Sequence, residues 1–299
     1  SALAGSLVAF SANAGEMTVT GAAGLYMTAT NELNKTTFSN SDHVTFSGST
    51  ELDNGMTVTY SLQLDGDEAD DGVIDNHSVT IATDGAGTFV YAGHGGDSAM
   101  SGMDDKTPNA YEEAWDGLTQ TGTDSVINGY SGNDLIRYTS PDVGGATVIA
   151  TLMPTDTGHA GGNYNDFGIV IKPEMVEGLE IGYAYGETEV TAGTPIDDST
   201  LYVTYAYGPV TVGYQQSESD ATSATNSDES DTFGISYQVT EDLSVSYNKH
   251  EYNDGAWTSD EEYTGVSASY TMGGITIAGH MNEVSNRGGD STAAPALGD

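Results

Sequence analysis

The chain has 299 residues, of which 45 are acidic and only six are Lys or Arg, so its formal net charge is 6 − 45 = −39. This charge excludes a nucleic-acid reader that works through a basic surface, and it argues against docking on an anionic lipid surface. The absence of cysteine excludes disulfides, thiolate zinc sites and thiol catalysis. The many glycines and tyrosines, 39 and 18, favour a β-rich protein of an extracytoplasmic kind.

The first fourteen residues have the composition of a leader. Residues 1–14 read SALAGSLVAFSANA, an apolar stretch that is followed by Ala12-Asn13-Ala14. This order matches the apolar region and the A-x-A cleavage site of a secretory signal peptide. The sequence therefore predicts a signal-peptide remnant over 1–14 and a mature protein over 15–299, with a short N-terminal helix or strand as the alternative. No other apolar run approaches the ~18 residues of a membrane helix, so a membrane-spanning form would be a barrel.

From residue 15 onward, apolar residues alternate with small or polar ones in segments of roughly ten residues. In 56–64, for example, Met, Val, Tyr and Leu share one face, and Thr, Ser and Gln share the other. A helical stripe with i, i+3, i+4 spacing is missing from these segments, which are rich in Thr, Val and Tyr. The pattern predicts an all-β protein with about fifteen strands, near residues 16–30, 43–52, 56–66, 77–83, 88–94, 134–140, 146–155, 166–173, 179–189, 199–208, 210–220, 231–240, 243–253, 262–272 and 275–286.

Short and long connections alternate between these segments. The short ones hold the Gly, Asn, Asp or Pro that tight hairpins require. The long polar ones cover 31–42, 67–75, 96–133, 156–165, 190–198, 221–230, 254–261 and 287–299. Strict alternation places every long loop at one end of the sheet, which is the layout of a transmembrane antiparallel β-barrel and not of a Greek-key sandwich. Because bacterial single-chain barrels have an even number of strands, we expect sixteen strands, with the final one missing after 287–299.

Several segments, in this order and spacing, resemble the general porins of Gram-negative bacteria, in particular the sixteen-stranded alphaproteobacterial type. The residues that carry the resemblance are 15–21, 44–56, 87–94 and, most closely, 133–141, which reads NDLIRYTSP. The resemblance implies a homotrimeric channel of the cell outer membrane, in contact with outer-membrane lipid and lipopolysaccharide, with a loop that narrows the pore. Two departures stand out: a terminal aromatic strand is lacking, and His94 stands where the family frequently has Arg, so the basic cluster of such pores is nearly gone.

The longest connection, 96–133, is the expected constriction loop, because the resemblance places it third in the order of loops. Acidic side chains in a narrow lumen raise the local concentration of cations and repel anions. The alternative is an outer acidic loop that never enters the pore. The residues expected to line the constriction are Asp97, Asp104, Asp105, Glu112, Glu113, Asp116 and Asp124.

Four basic or titratable residues are expected on the lumen wall. Arg137 lies between Ile136 and Tyr138 on an alternating strand, so it faces inward; it either opposes the acidic loop across the pore or anchors that loop through a salt bridge. The three others are histidines, which either make conductance depend on pH near 6 or are simply solvated in the lumen: His94, His250 and His280.

The sequence therefore predicts a general diffusion porin that passes small hydrophilic solutes and ions, prefers cations and uses no cofactor. No catalytic triad, metal-binding His pair or phosphate loop stands out, so we do not expect an enzyme. The acidic outer loops are expected to attract Ca²⁺ or Mg²⁺ diffusely rather than at a defined site. The alternative is a secreted, acidic, calcium-binding β-rich protein of a surface layer or an adhesin.

Overall fold

The computed structural model describes residues 17–30, 35–66, 74–116, 118, 127, 129–154, 162–189, 195–221, 227–291 and 296–298. The predicted signal-peptide remnant over 1–14 and the predicted loop residue Asp124 lie outside these residues. In the part of the chain so described, sixteen strands form one antiparallel sheet, and each strand pairs with the next one in sequence. No helix among these residues is long and apolar enough to cross a membrane.

The strands vary widely in length, from three to seventeen residues. They are β1 (Thr18–Thr30), β2 (Lys35–Glu51), β3 (Thr57–Asp65), β4 (Ile74–Ala82), β5 (Thr88–His94), β6 (Leu135–Thr139), β7 (Ala146–Met153), β8 (Tyr164–Ile171), β9 (Leu179–Thr188), β10 (Ile196–Tyr207), β11 (Val210–Ala221), β12 (Asp228–Gln238), β13 (Leu243–Asn253), β14 (Glu261–Met272), β15 (Ile275–Ser285) and β16 (Ala296–Gly298). Two 3₁₀ turns, Ser101–Met103 and Arg287–Gly289, lie between strands.

The fifteen predicted strands are present, and their ends overlap several of the predicted long connections by one to four residues. Two predicted connections differ by more than such shifts. The expected long connection 31–42 is largely strand, because β2 already begins at Lys35 and pairs with β1 from Thr30↔Lys35 to Thr18↔Ser47. Residues 35–42 are mostly Thr, Ser and Asn without apolar alternation, so pairing with β1 rather than a buried face makes them extended. Within the predicted polar end 287–299, residues 296–298 form β16 and pair with β15.

The two faces of the sheet differ sharply in chemistry. In β11, Tyr214 is 48% exposed on the outer face, whereas the side chain of its neighbour Gln215 is 3% exposed on the inner face. Large apolar side chains continue around the outer face, as an outward surface in lipid requires. Tyrosines lie close to the short turns at one edge of this surface, where amphipathic rings suit a membrane interface: Tyr205, Tyr207, Tyr237 and Tyr270.

The sheet curls until its two ends approach. Cα atoms of β16 come within 8 Å of β1, although no described hydrogen-bonded pairing joins these two strands. The long connection between β5 and β6 lies on the inner face, and small apolar clusters fill the space between it and the wall. The fold therefore brings one loop and the inward residues of ten strands together.

Candidate functional site

The candidate site is the connection 95–134 between β5 and β6, which we call the inner loop. Its base is closed by two backbone hydrogen bonds between Gly96 and Gly132, each 2.8 Å long. From this base the loop follows the inner wall from β6 to β15, contacting successive strands in chain order. The described part of 96–133 therefore lies on the inner face, where the predicted constriction loop would lie, and not at the outer end of the sheet.

The first attachment joins the loop to β7 and β8. The amide of Ala99 donates to Oγ1 of Thr151 at 3.1 Å, and the amide of Met100 donates to Oδ2 of Asp166 at 2.8 Å. The Asp166 side chain also accepts from the Tyr164 hydroxyl at 3.1 Å. An apolar cluster covers these bonds from water and comprises Ala99, Met100, Met103, Ile127, Ile149, Ala184 and Tyr202.

Two side-chain amides hold the middle of the loop. Gln215 on β11 accepts from the amide of Lys106 at 2.8 Å and donates to the carbonyl of Met103 at 2.5 Å. Asn248 on β13 donates to the carbonyl of Pro108 at 3.1 Å. Both amides are buried, at 3% and 2% exposure, so each bond replaces hydration that the loop backbone would otherwise need.

The far end of the described loop is attached to β13 and β15. Asn282 donates through Nδ2 to the carbonyls of Glu113 and Asp116, both at 2.8 Å. Between these two residues, Trp115 packs on His250 with ring centroids 4.6 Å apart. Ala114 and Trp115 form a second apolar cluster with Tyr263 and Val284, packed against Leu118.

Burial and mutual repulsion raise the pKa values of three loop carboxyl groups. Burial, then the charge of Asp105, raises the pKa of Asp104 to about 7. Burial, then a hydrogen bond with Asp116, raises the pKa of Glu113 to about 8. The pKa of Glu112 is also raised, by burial and by the charge of Asp116. Asp104 and Glu113 therefore gain their negative charge near neutral pH rather than in the acidic range.

The inner loop carries far more negative than positive charge. Residues 95–116 hold six carboxyl groups and one lysine, so their formal charge is 1 − 6 = −5. The lysine, Lys106, lies 3.5 Å from a carboxylate oxygen of Asp105. Asp97 and Asp105 are exposed, and the other four carboxyl groups are half-buried. The described part of the loop therefore presents a strongly negative surface.

Arg137 faces the inner side, as predicted, but it lies at the root of the loop rather than across the pore from it. Its guanidinium donates through Nη1 to the backbone carbonyl of Asp97 at 3.4 Å. Among the described residues it has no carboxylate partner within 4.0 Å, so the anchoring contact is to the backbone and is not the alternative salt bridge.

The three predicted lumen histidines occupy different surroundings. His94 is half-buried, and its Nδ1 bonds to the carbonyl of Asp75. His280 is half-buried and stacks on Tyr111, with ring centroids 5.8 Å apart. His250 points inward but is only 1% exposed, so the expectation that it is solvated in the lumen is wrong. The reason is the inner loop, which covers its ring.

Three carboxylates of the loop lie close enough to share a cation or a proton. Oxygens of Glu112, Glu113 and Asp116 all lie within 4.8 Å of one another, and this group has the hard oxygen donors that Ca²⁺ or Mg²⁺ prefers. The raised pKa values of the two glutamates offer a simpler state, in which a proton relieves the repulsion. Nothing else in the described surroundings points to a bound ion.

The residues that attach the loop were not among the predicted site residues. Gln215, Asn248, Asn282 and Asp166 are large polar side chains on a face that otherwise carries mostly Ser, Thr, Gly and Ala. That contrast is the signal by which the sequence marks them. Their partners are more than sixty residues away along the chain, so the signal does not say what they bind.

Comparisons with known proteins give the family and the fold. The profile of the Gram-negative porin family matches residues 1–290. Among solved structures, the anion-selective porin from Comamonas acidovorans has a TM-score of 0.66 at 15% identity, covering 90% of this chain and 89% of that one. Salmonella typhi OmpF in complex with daunomycin has a TM-score of 0.68 at 12% identity, covering 94% of this chain and 96% of that one. A mutant of the Rh. blastica porin has a TM-score of 0.66 at 14% identity, covering 95% of this chain and 98% of that one. Among curated proteins, none matches this sequence.

The family profile spans nearly the whole chain, over residues 1–290. The chain therefore belongs to the Gram-negative porin family: it is a β-sheet channel protein of the outer membrane and not an enzyme.

Proposed function

We propose that this porin is a general diffusion channel that passes small hydrophilic solutes and prefers cations to anions. The observation that carries the preference is the charge of the inner loop, with six carboxyl groups against one lysine over residues 95–116. Fixed negative charge beside a low-dielectric wall lowers the energy of a passing cation and raises that of an anion.

The barrel itself does not decide the sign of the selectivity. The Comamonas porin is named anion-selective, yet its backbone superposes on this chain over 90% of the length. Ion preference must then come from side chains that the fold leaves free to vary. In this chain, the loop carboxylates are opposed locally by Lys106 and by Arg137, whose described contact is to a backbone carbonyl.

We extend the proposal to the assembly and its surroundings. The protein is a homotrimer, in contact with outer-membrane lipid and lipopolysaccharide. It works without a cofactor, and its acidic outer loops hold Ca²⁺ or Mg²⁺ only as a diffuse counterion layer. The support for these points is family membership and the net charge of −39.

The test is the reversal potential in a planar bilayer under a salt gradient. We expect current steps in multiples of three and a reversal potential displaced toward the cation limit. Four substitutions, Asp104→Asn, Asp105→Asn, Glu112→Gln and Glu113→Gln, should together reduce the displacement. The control removes two carboxylates from the exposed turn between β8 and β9, through Glu174→Gln and Glu177→Gln. This turn lies at the end of the sheet opposite the one from which the inner loop leaves β5.

The two sets of variants separate the parts of the proposal. Inserted, heat-modifiable protein that gives no current would refute the diffusion-channel proposal. A wild-type channel that shows no cation preference, or a preference that the turn variants reduce as much as the loop variants, would leave a channel but refute the role of the inner loop.

A further inference from the structure

Two wall glycines lie beneath the middle of the inner loop. A Cβ atom built on Gly213 would lie 2.5 Å from Cδ of Pro108. One built on Gly234 would lie 2.7 Å from the Pro108 carbonyl oxygen, 2.7 Å from Nδ2 of Asn248 and 3.0 Å from Cβ of Thr107. Ordinary contacts of a Cβ atom fall between 3.4 and 4 Å. The loop therefore lies against the wall more closely than any other residue type at these positions would allow.

The two glycines are also direct cross-strand partners. The register of β11 and β12 places Gly213 opposite Gly234. Glycine in a strand interior weakens the strand, because it loses more conformational freedom and offers no side chain to pack. Neither residue has a positive φ, so no turn or bulge accounts for the choice. The close approach of the loop supplies the reason for two adjacent glycines within a sheet.

A side chain at Gly213 would displace the loop rather than the wall, and one at Gly234 would press both on the loop and on Nδ2 of Asn248, the wall amide that holds Pro108. Strands β11 and β12 are hydrogen-bonded on both sides, to β10 and β13 respectively, so the wall is fixed by complete ladders. The loop at Thr107 and Pro108 has no ladder and is attached by single side-chain bonds, such as that of Asn248. At Gly213, restoring an ordinary contact requires a shift of 3.4 − 2.5 = 0.9 Å or more, away from the wall.

We propose that Gly213 and Gly234 are positioning residues that set the bore of the channel. By carrying no side chain they let the loop segment at Thr107 and Pro108 lie flat on the wall, which leaves the pore wider than a substituted wall would. The inference rests on the proposed function, since bore has meaning only if the protein conducts. It adds a determinant of solute size that is separate from the charge of the loop.

The experiment compares Gly213→Ala and Gly234→Ala with Gly279→Ala in β15, where a Cβ meets nothing within 4 Å. Single-channel conductance is measured in KCl, and liposome swelling is measured with a monosaccharide and a trisaccharide. For a displacement of about 1 Å we expect conductance to fall roughly 1.2-fold and trisaccharide entry, relative to monosaccharide entry, to fall about twofold. The Gly279→Ala protein should behave as wild type.

A compensating substitution tests the direction of the effect. Pro108→Ala removes the Cδ atom nearest to the built Cβ of Gly213, so adding it to Gly213→Ala should restore both readouts. Folded alanine variants whose conductance equals or exceeds that of the wild type would overturn the inference. If the wild-type protein conducts in the same experiment, the proposed function stands. If Gly213→Ala fails to fold both with and without Pro108→Ala, the glycine serves the strand and not the loop, and the inference is wrong. A wild-type protein without current would instead refute the proposed function itself.

Discussion

Raising the pH from 6 to 9 should increase the cation preference of the channel, and the increase should depend on two residues. The pKa of Asp104 is about 7 and that of Glu113 about 8, because both carboxyl groups are partly buried beside other acids. A carboxyl group with a raised pKa is neutral below that value and charged above it. Between pH 6 and pH 9, the ionised fraction rises from about 0.1 to 1.0 for Asp104 and from about 0.01 to 0.9 for Glu113. The loop thus gains about 1.8 negative charges over this range.

The size of the effect follows from Coulomb's law. For an ion that passes roughly 5 Å from one such charge in water, the interaction is about 0.8 kcal/mol, and 0.1 M salt reduces it to about 0.5 kcal/mol. Because the sign is opposite for anions, one charge changes the ratio of cation to anion permeability by about 1 kcal/mol, or roughly fivefold. Most of the change should lie between pH 6.5 and 8.5, well above the usual range of exposed carboxylates.

The assay is the reversal potential under a fixed KCl gradient at half-unit pH steps. The double variant Asp104→Asn with Glu113→Gln serves as the control, because it removes the two carboxyl groups to which the titration is assigned. The double variant should keep the low-pH selectivity of the wild type and change little above pH 7. A wild-type preference that is already constant from pH 6 to 9, or an unchanged pH dependence in the double variant, would refute this assignment of the titrating groups.

Three further substitutions separate the attachment of the loop from the stability of the sheet. Asn282→Leu removes two hydrogen bonds to loop carbonyls, at a cost of about 1–3 kcal/mol for each carbonyl left unsatisfied. Because these bonds hold the loop and not the sheet, open-channel current noise should rise while the midpoint of heat denaturation stays the same. Trp115→Ala removes the largest side chain of the second apolar cluster, and truncating a buried Trp costs about 3–5 kcal/mol of packing free energy. The end of the loop should then move away from the wall more easily, and larger sugars should enter in the liposome-swelling assay. Lys249→Gln removes the outward-facing ion pairs of the Lys249 ammonium with Glu251 at 3.0 Å and with Glu262 at 2.8 Å. Because the lysine is partly exposed, the free energy of unfolding, measured by denaturant titration, should change by less than about 1 kcal/mol.

The arrangement of strands could be predicted because it depends on a local pattern. Alternation with a period of two is visible within any ten residues, and turn residues mark where it stops. The prediction failed where a strand has no apolar face: residues 35–42 of β2 are held by pairing with β1, which the local composition does not reveal. It also failed for β16, whose three residues are recognisable only beside β15.

The site could be predicted only at the level of the segment. The long acidic connection after β5 indicated a constriction loop, but the residues that hold it, such as Gln215 and Asn282, bond across more than one hundred positions. His250 shows the same limit, since its place on the inward face was predictable and its burial under Trp115 was not. Gly213 and Gly234 read as ordinary strand glycines until the loop above them is known.

The attachments of the loop use mainly its backbone. Side chains of the wall accept hydrogen bonds from the backbone amides of Ala99, Met100 and Lys106. They also donate hydrogen bonds to the carbonyls of Met103 and Pro108. A loop held in this way keeps its course when its carboxylate side chains change, because the backbone atoms that form these bonds are present whatever the residue, proline apart. Position and charge are therefore separable in this protein: the wall amides and glycines determine where the loop lies, and the loop carboxylates determine which ions it favours. Neutralising a carboxylate should consequently change selectivity at nearly constant bore, whereas a wall substitution should change bore at nearly constant selectivity.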